Sequence, residues 1–263
     1  RMAEDVATLD HVSNGRLEFG VGRSSAPGSY EGYGVAYAES KDRMFEALEV
    51  MIRAWTQERF SYDGVYYHYD DVCLVPKPYQ SPHPPIRIAA TTDDTFPVLG
   101  EMGVPIFIGL RTAGMPTVRK QVESYIDAWH QAGHTGEPDV ALRVPVYVAE
   151  TAERGVNEPE ASFMRQFRRL SGTFAATAAA GVDHPESRAT RAEHLATVTW
   201  EDAQREKVAV GSPDMVVERL IEMRDQLHLN RIVCEFNAGE RLPRETVAES
   251  LRLFCSEVMP AFE

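Results

Sequence analysis

With 263 residues, 43% of them hydrophobic, the chain has the size and apolar content of one barrel-type domain. Its formal net charge of −13 argues against nucleic acid or an anionic membrane as a partner, because such partners are held by basic patches. No apolar run reaches the roughly 20 residues of a membrane span, and the first residues do not resemble a signal peptide. We therefore expect a cytoplasmic protein.

The cysteines and histidines give no indication of a metal site. Cys73, Cys234 and Cys255 are odd in number and lack the spacing of metal ligands, which suits reduced thiols. His68 and Asp70 lie where tyrosines alternate with acidic residues, a pattern more typical of an exposed hairpin. We predict no bound metal.

The first predicted element is a helix over residues 1–13, and Asn14-Gly15 then supplies the left-handed conformation that ends helices. Its apolar stripe consists of Met2, Val6, Leu9 and Val12. No capping residue precedes the helix, and the chain begins with Arg1 instead of Met. We interpret the sequence as N-terminally incomplete.

The second element is a strand over residues 16–22, in which apolar side chains alternate with glycine and glutamate. The apolar face would pack against an outer helix, and Gly20 and Gly22 on the other face would leave room for a flat ligand. Arg23 follows at the carboxyl end, where a guanidinium can bind phosphate through two hydrogen bonds. An ordinary strand followed by a solvated arginine explains the same residues equally well.

A helix over residues 40–57 and a hairpin over residues 60–74 follow, and a proline-rich connector then leads to a strand over residues 86–90. This strand runs into Thr91-Thr92-Asp93-Asp94-Thr95. Backbone N–H groups at a helix start bind anions, and threonine hydroxyls add donors. The two aspartates would repel an anion and equally suit a plain helix cap, so both interpretations stay open.

Three further strands are predicted, which makes five strands of the barrel type; they cover residues 105–109, 141–149 and 231–236. Further helices are predicted over residues 116–132, from Ser212-Pro213 onward, and over residues 243–258. A closed barrel of this type requires eight strands. The count therefore agrees with a sequence that lacks its first part.

The structure of residues 150–207 is the hardest to predict. One helix is expected at residues 161–170, and residues 175–192 contain few large apolar side chains. Such a segment buries little surface to offset the entropy lost on ordering it. As an insertion after a barrel strand, it would either lie over the carboxyl-terminal face as a lid or extend into solvent.

Residues 9–23, Leu-Asp-His-Val-Ser-Asn-Gly-Arg-Leu-Glu-Phe-Gly-Val-Gly-Arg, resemble the signature of the bacterial luciferase-like flavin monooxygenases. The resemblance covers nearly the whole chain and continues in Tyr30-Glu31-Gly32-Tyr33-Gly34, Pro76-Lys77-Pro78-Tyr79-Gln80 and Gly211-Ser212-Pro213. One departure is Ser24, where the family commonly has glycine. The resemblance implies an α/β fold, a luciferase-like (β/α)8 TIM barrel with about five of its eight strands present. Residues 1–263 would then be a single domain that lacks its first three βα units.

The same resemblance implies the residues of a cofactor site, namely Arg23, Ala89, Ala90, Thr91, Thr92 and Thr95. Arg23 and the last two threonines would hold the phosphate of FMN, and the alanines would line the edge of the flavin ring. Gly22 would leave space for substrate near the reactive face. The catalytic histidine of the family would lie upstream of Arg1, so no catalytic residue is predicted.

The implied activity is that of a monooxygenase that takes reduced FMN from a separate flavin reductase. With O2 it would form a flavin C4a-peroxide, which oxidises an aldehyde or another small organic substrate. The protein is expected to be a homodimer or a heterodimer. Hydride transfer with the deazaflavin coenzyme F-420, and a non-catalytic flavin-binding or partner subunit, stay open as alternatives. An unrelated metal-dependent hydrolase would need His, Asp or Glu at several strand ends, where this chain has Arg, Thr, Leu and Asn.

Overall fold

The computed structural model describes residues 1–24, 26–182 and 184–262, and the chain divides into two compact units, Arg1–Ala89 and Ala90–Glu263. Parallel strands and helices occur in both units, which makes the fold α/β, as predicted. None of the helices in the described ranges is long and apolar enough to cross a membrane.

The first unit contains seven regular elements and one short 3-10 turn, Tyr37–Glu39. They are α1 (Met2–Val12), β1 (Phe19–Val21), α2 (Gly28–Glu31), α3 (Ser40–Thr56), β2 (Phe60–Asp63), β3 (His68–Val72) and β4 (Ile86–Ala89). Asn14 and Gly15 end α1 in left-handed conformations, with φ of 53° and 74°, as predicted. The predicted hairpin forms as the antiparallel pair β2 and β3.

Strand β1 pairs in parallel with β4, with Phe19 opposite Ile86. No second strand among the described residues of this unit pairs with β1. Phe19 packs edge-on against Trp55 of α3, with the ring centroids 5.8 Å apart. The apolar face of β1 therefore meets an outer helix, as its alternating sequence predicts.

Helix α1 buries a different face from the one that its apolar stripe predicts. Asp10 is completely buried, because its carboxylate accepts hydrogen bonds from the Gln80 backbone N–H at 2.8 Å and from the Gln80 side-chain amide at 2.7 Å. The small residues on that face, Ala3, Val6 and Ala7, are buried with it, whereas Met2, Leu9 and Val12 are exposed. The predicted stripe is wrong except for Val6, since a polar side chain with two partners determines which face is buried.

The second unit is larger and is built around one long strand. Its elements are α4 (Thr95–Glu101), β5 (Ile106–Gly109), α5 (Met115–Gln131), β6 (Val140–Val148), α6 (Ala152–Ala179), α7 (Pro185–Thr197), α8 (Trp200–Glu206), β7 (Ala209–Gly211), α9 (Pro213–Leu227), β8 (Arg231–Glu235) and α10 (Arg244–Leu253). Strand β6 pairs in parallel with β5 and β8, and its last residues pair with β7.

All five predicted strands occur, and β7 is a further parallel strand that the sequence analysis missed. It has three residues, which is too short for a periodic pattern to be recognised. The final predicted helix is an α-helix only as far as Leu253. It continues as a π-helical turn, Phe254–Val258, and a 3-10 turn, Met259–Phe262.

Helix α6 is 28 residues long and extends beyond the predicted 161–170 at both ends. Phe163, Phe167 and Phe174 are buried along it and belong to one core cluster with residues of α7 and α8. Residues 175–192 also contribute to this core, because Thr177 and Arg188 are buried and share a hydrogen bond of 3.2 Å. Most of the other described residues in this stretch are exposed, which agrees with the expectation that it buries little surface; Asp183, within this stretch, lies outside the described residues.

The loop after β8 holds α6 in place. The Ser162 hydroxyl donates to the Ala238 carbonyl at 2.7 Å and accepts from the Arg241 backbone N–H at 3.0 Å. Gly239 has φ of 85°, and a Cβ there would overlap the Ser162 carbonyl, so only glycine fits. Helix α6 thus packs directly on the segment that follows the carboxyl end of β8.

Candidate flavin site

Arg23 lies two residues beyond the carboxyl end of β1 and is half-buried. Its Nη1 donates to the Ser40 hydroxyl at 2.9 Å, and its guanidinium carbon is 5.9 Å from the centre of the Tyr37 ring. Ser40 is buried at the start of α3, and its hydroxyl donates to the Tyr37 carbonyl at 2.6 Å. These contacts orient the guanidinium, and its further N–H groups can bind a ligand.

The two glycines of β1 differ in the space beside them. A Cβ at Gly20 would meet nothing within 4 Å, whereas a Cβ at Gly22 would lie 3.1 Å from the Cβ of Ala89. The open space on this face of β1 therefore lies at Gly20. Gly22 instead allows the ends of β1 and β4 to approach each other, and its contact with substrate remains a prediction.

The predicted threonines lie at the start of the second unit, in the turn that leads into α4. The Thr92 and Thr95 hydroxyls are 2.8 Å apart, and the Thr95 backbone N–H donates to the Thr92 carbonyl at 2.9 Å. Ala90, just before them, is buried and donates to the Phe107 carbonyl at 3.0 Å, while Thr91 is exposed. The structure thus brings Thr92 and Thr95 together.

Asp93 is the residue of this turn that would most oppose a phosphate. Its carboxylate accepts a hydrogen bond of 2.5 Å from the side-chain amide of Gln121, in α5. The amide neutralises no charge, but it fixes the direction in which one carboxylate oxygen faces.

A cavity of about 620 Å³ lies beside the turn, within the second unit. Its polar lining includes Thr91, Asp93, Gln121, Arg191, His194 and Glu206. Arg191 links α7 to the turn, because its Nη2 donates to the Thr91 carbonyl at 3.4 Å. Arg191 and His194 are not among the predicted site residues, because no helix is predicted in this part of the sequence. The signal was Pro185, which occupies the first turn of α7, a preferred position for proline.

The profile of the family described as luciferase-like monooxygenase matches residues 1–228. The chain belongs to this family. Two relatives of the luciferase-like chain show how far the similarity extends. An uncharacterised protein of Mycobacterium tuberculosis is 32% identical over 162 residues, which cover 60% of this chain and 56% of that protein. The oxygenase component of the flavin-dependent trigonelline monooxygenase of Acinetobacter baylyi is 23% identical, over 100% of this chain and 72% of that protein.

Solved structures of luciferase-like proteins share the fold. The oxygenating constituent of 3,6-diketocamphane monooxygenase from Pseudomonas putida, in complex with FMN, has a TM-score of 0.73 at 22% identity, covering 99% of this chain and 75% of that one. An F-420-dependent secondary alcohol dehydrogenase, in complex with an F-420–acetone adduct, has a TM-score of 0.71 at 16% identity, covering 100% and 74%. At these identities the likeness shows the luciferase-like fold alone, and the absence of three strands from this chain stays a prediction.

One buried cation of the luciferase-like chain lies outside the predicted site. Lys207 is 1% exposed, and its Nζ donates to the Leu110 carbonyl at 3.2 Å. Burial lowers the pKa of Lys207 to about 8, although the nearby Glu206 and Asp202 act in the opposite direction. In the part of the chain that the structure describes, no three His, Cys, Asp or Glu side chains are grouped to hold a metal.

Proposed function

We propose that this chain is the oxygenase component of a two-component flavin monooxygenase. It would bind reduced FMN from a separate reductase and use O2 to oxidise a small organic substrate. Family membership supports the class, and the Acinetobacter relative is itself named an oxygenase component, which supports a reductase as partner. The structural observation that carries the proposal is Arg23, which Ser40 and Tyr37 orient while further N–H groups stay available.

The donor chemistry of the predicted residues fits a flavin phosphate. Arg23 supplies a cation that can make two hydrogen bonds to phosphate oxygens. In the Thr92–Thr95 pair one hydroxyl donates to the other, so the accepting hydroxyl keeps its own proton for a ligand. The amide of Gln121 fixes the direction of one Asp93 carboxylate oxygen, and the negative charge of Asp93 remains.

The remaining residues would orient the cofactor and exclude water. A bound reduced flavin supplies the electrons for the reaction with O2. We propose that Ala89 and Ala90 contact the ring edge, and that Gly22 leaves space for substrate. We also propose that α7, which lines the cavity and is tied to Thr91 by Arg191, acts as part of a lid formed by residues 150–207.

Hydride transfer with F-420 is the second candidate. The likeness to the F-420-dependent alcohol dehydrogenase favours it, with a TM-score close to that of the FMN-bound monooxygenase. Both cofactors carry a phosphate, so Arg23 and the threonines do not separate them. The ring system of the cofactor and its reaction with O2 distinguish FMN from F-420.

The test is a binding titration followed by a turnover assay. Reduced FMN and reduced F-420 are titrated anaerobically against the protein and followed by absorbance and fluorescence. Tighter binding of FMN, and O2 consumption that requires a flavin reductase, support the proposal. Tighter binding of F-420 supports hydride transfer, and FMN binding without any substrate oxidation supports a non-catalytic subunit. Failure to bind either cofactor contradicts all three.

A further inference from the structure

Four polar side chains of the second unit, named here the strand-end cluster, lie where its strands end: Arg111, Arg143, Gln166 and Glu235. Arg111 follows β5 by two residues, and Glu235 is the last residue of β8. Arg143 lies opposite Gly109, the last residue of β5. Glu235 lies opposite Pro145, two residues along from Arg143, so both project from the same face of the sheet. Gln166 reaches this face from α6.

One oxygen of the Glu235 carboxylate accepts two hydrogen bonds. Arg143 Nη2 donates to Glu235 Oε1 at 2.7 Å, and the Gln166 amide nitrogen donates to the same oxygen at 3.3 Å. The other two acceptors are not satisfied. Glu235 Oε2 and Gln166 Oε1 are both buried and have no hydrogen-bond partner among the described residues.

Arg111 is a hydrogen-bond donor without an acceptor among the described residues. It makes no hydrogen bond or ion pair with any residue in the described ranges, although it is more than half buried. Burial lowers its pKa, and repulsion from Arg143 adds to this effect, whereas attraction to Glu235 opposes it. An internal ion pair would place Arg111 on the open oxygen of Glu235. In the structure, Arg111 and the Oε2 atom of Glu235 do not bond to each other or to any other described residue.

Unpaired buried polar groups are costly, so they are rare in folded proteins and concentrate where a ligand completes them. Gln166 is only 3% exposed, and its amide points into the cluster. The Arg143 side chain is 37% exposed and that of Glu235 is 21% exposed, so the cluster is partly open to solvent. Two arginines against one glutamate give the cluster a net positive charge in a chain whose net charge is −13.

We propose that the strand-end cluster binds the substrate, and that this substrate is a small organic anion that also carries a hydroxyl or amine group. Its anionic group pairs with Arg111. A hydroxyl donates to one of the two open oxygens, Glu235 Oε2 or Gln166 Oε1, and an amine can donate to both. An apolar aldehyde, one substrate type suggested by the family resemblance, brings no anion for Arg111 and no donor for the two open oxygens. Describing the ligand as a substrate rests on the proposed monooxygenase function, whereas its binding does not.

Glycolate is a suitable probe because it combines a carboxylate with a hydroxyl. Acetate lacks the hydroxyl, ethylene glycol lacks the charge, and inorganic sulfate lacks the organic part. Each is titrated against the full chain without flavin and followed by saturation-transfer NMR. We expect glycolate to bind more tightly than the other three, and Arg111→Met to weaken its binding by about tenfold to a hundredfold.

Two further variants make this result interpretable. Arg119→Met removes an exposed arginine of α5 that pairs with Glu123, and it should leave glycolate binding unchanged. Arg111→Lys keeps the charge and should retain part of the affinity, which protects the test against misfolding of the methionine variant. Equal glycolate affinity in the wild type and Arg111→Met, equal affinity for sulfate and glycolate, or no glycolate binding would each overturn the proposal.

The test also separates this proposal from the flavin proposal. Glycolate binding by a protein that binds no FMN would keep the anion site and remove its role as a substrate site. If the protein binds FMN but does not bind glycolate, the flavin function stands and the anion site is rejected.

Discussion

Two arginines of this chain hold the same position relative to a strand and differ in their surroundings. Arg23 follows β1 by two residues, and Arg111 follows β5 by two residues. Arg23 donates to the buried Ser40 hydroxyl, whereas Arg111 has no partner in the described part of the chain. A side chain oriented before its ligand arrives suits a constant group such as a cofactor phosphate. A cation without compensation suits a substrate that supplies the missing charge.

The two regions differ in their hydrogen bonds as well as in charge. The hydroxyl of Ser40 both accepts from Arg23 and donates to the Tyr37 carbonyl, so the guanidinium in the first unit is oriented while its other N–H groups stay available. In the second unit, Glu235 and Gln166 each have one oxygen without a donor. Substitutions at four residues can sharpen or break this contrast.

The largest effect on stability is expected at Lys207, a cation that is almost completely buried and makes one hydrogen bond. Its pKa falls from 10.5 to about 8 on folding. Below pH 8 the folded chain therefore buries a charged ammonium group, which lowers the free energy of unfolding. Lys207→Met should therefore raise the free energy of unfolding at pH 7 by about 2 kcal/mol, after the lost hydrogen bond to Leu110 is deducted.

The pH dependence at Lys207 has a definite sign. Between pH 8 and pH 10.5 the unfolded chain binds more protons than the folded chain at this site, so the wild type gains stability as the pH rises. The advantage of Lys207→Met should shrink over that window. Urea unfolding at several pH values measures it, with the exposed Lys120→Met as control. A methionine variant less stable than the wild type at pH 7 would contradict the prediction and show that Lys207 stabilises the folded chain.

Methionine substitutions at Arg23 and Arg111 should change stability in opposite directions. Arg23→Met breaks the hydrogen bond to buried Ser40 and should lower the free energy of unfolding by about 1 kcal/mol. Arg111→Met removes an unpaired, partly buried charge and should raise it by about 1 kcal/mol. Urea unfolding without ligand measures both. Changes of the same sign would break the comparison from which the two roles are inferred.

The smallest effect is expected at Ser40, which orients Arg23 without reaching the ligand itself. Ser40→Ala leaves the guanidinium in place but less ordered, so FMN affinity should fall by about threefold, the effect of losing less than one hydrogen bond. Fluorescence titration measures the affinity, and Ser256→Ala, an exposed serine far along the chain, serves as control. An unchanged affinity in Ser40→Ala would mean that Arg23 needs no support.

The sequence predicts the strands and most helices because their patterns are local. Alternation is sufficient for β1, and a regular apolar stripe is sufficient for α3 and α5. Strand β7 is too short to show a period. The buried face of α1 depends on Gln80, a residue far along the chain that satisfies Asp10, so no local pattern could reveal it.

The candidate site divides in the same way. Arg23, Thr92 and Thr95 can be proposed from the sequence because they occupy positions that resemble a known family, and their role in the site stays a prediction. The strand-end cluster cannot be proposed in this way, because Arg143 and Glu235 become partners only when β6 and β8 pair in one register. Gln166 joins them from a helix whose extent the sequence analysis underestimated.

The central claim is that Arg23 holds the phosphate of a flavin, and the most direct test compares FMN with riboflavin, which lacks that phosphate. Both ligands are titrated against the wild type and Arg23→Ala by fluorescence. Loss of a charge-assisted hydrogen bond should weaken FMN binding by about tenfold to a hundredfold. Riboflavin binding should change far less. Equal losses for the two ligands would contradict the claim and assign Arg23 to the support of the fold.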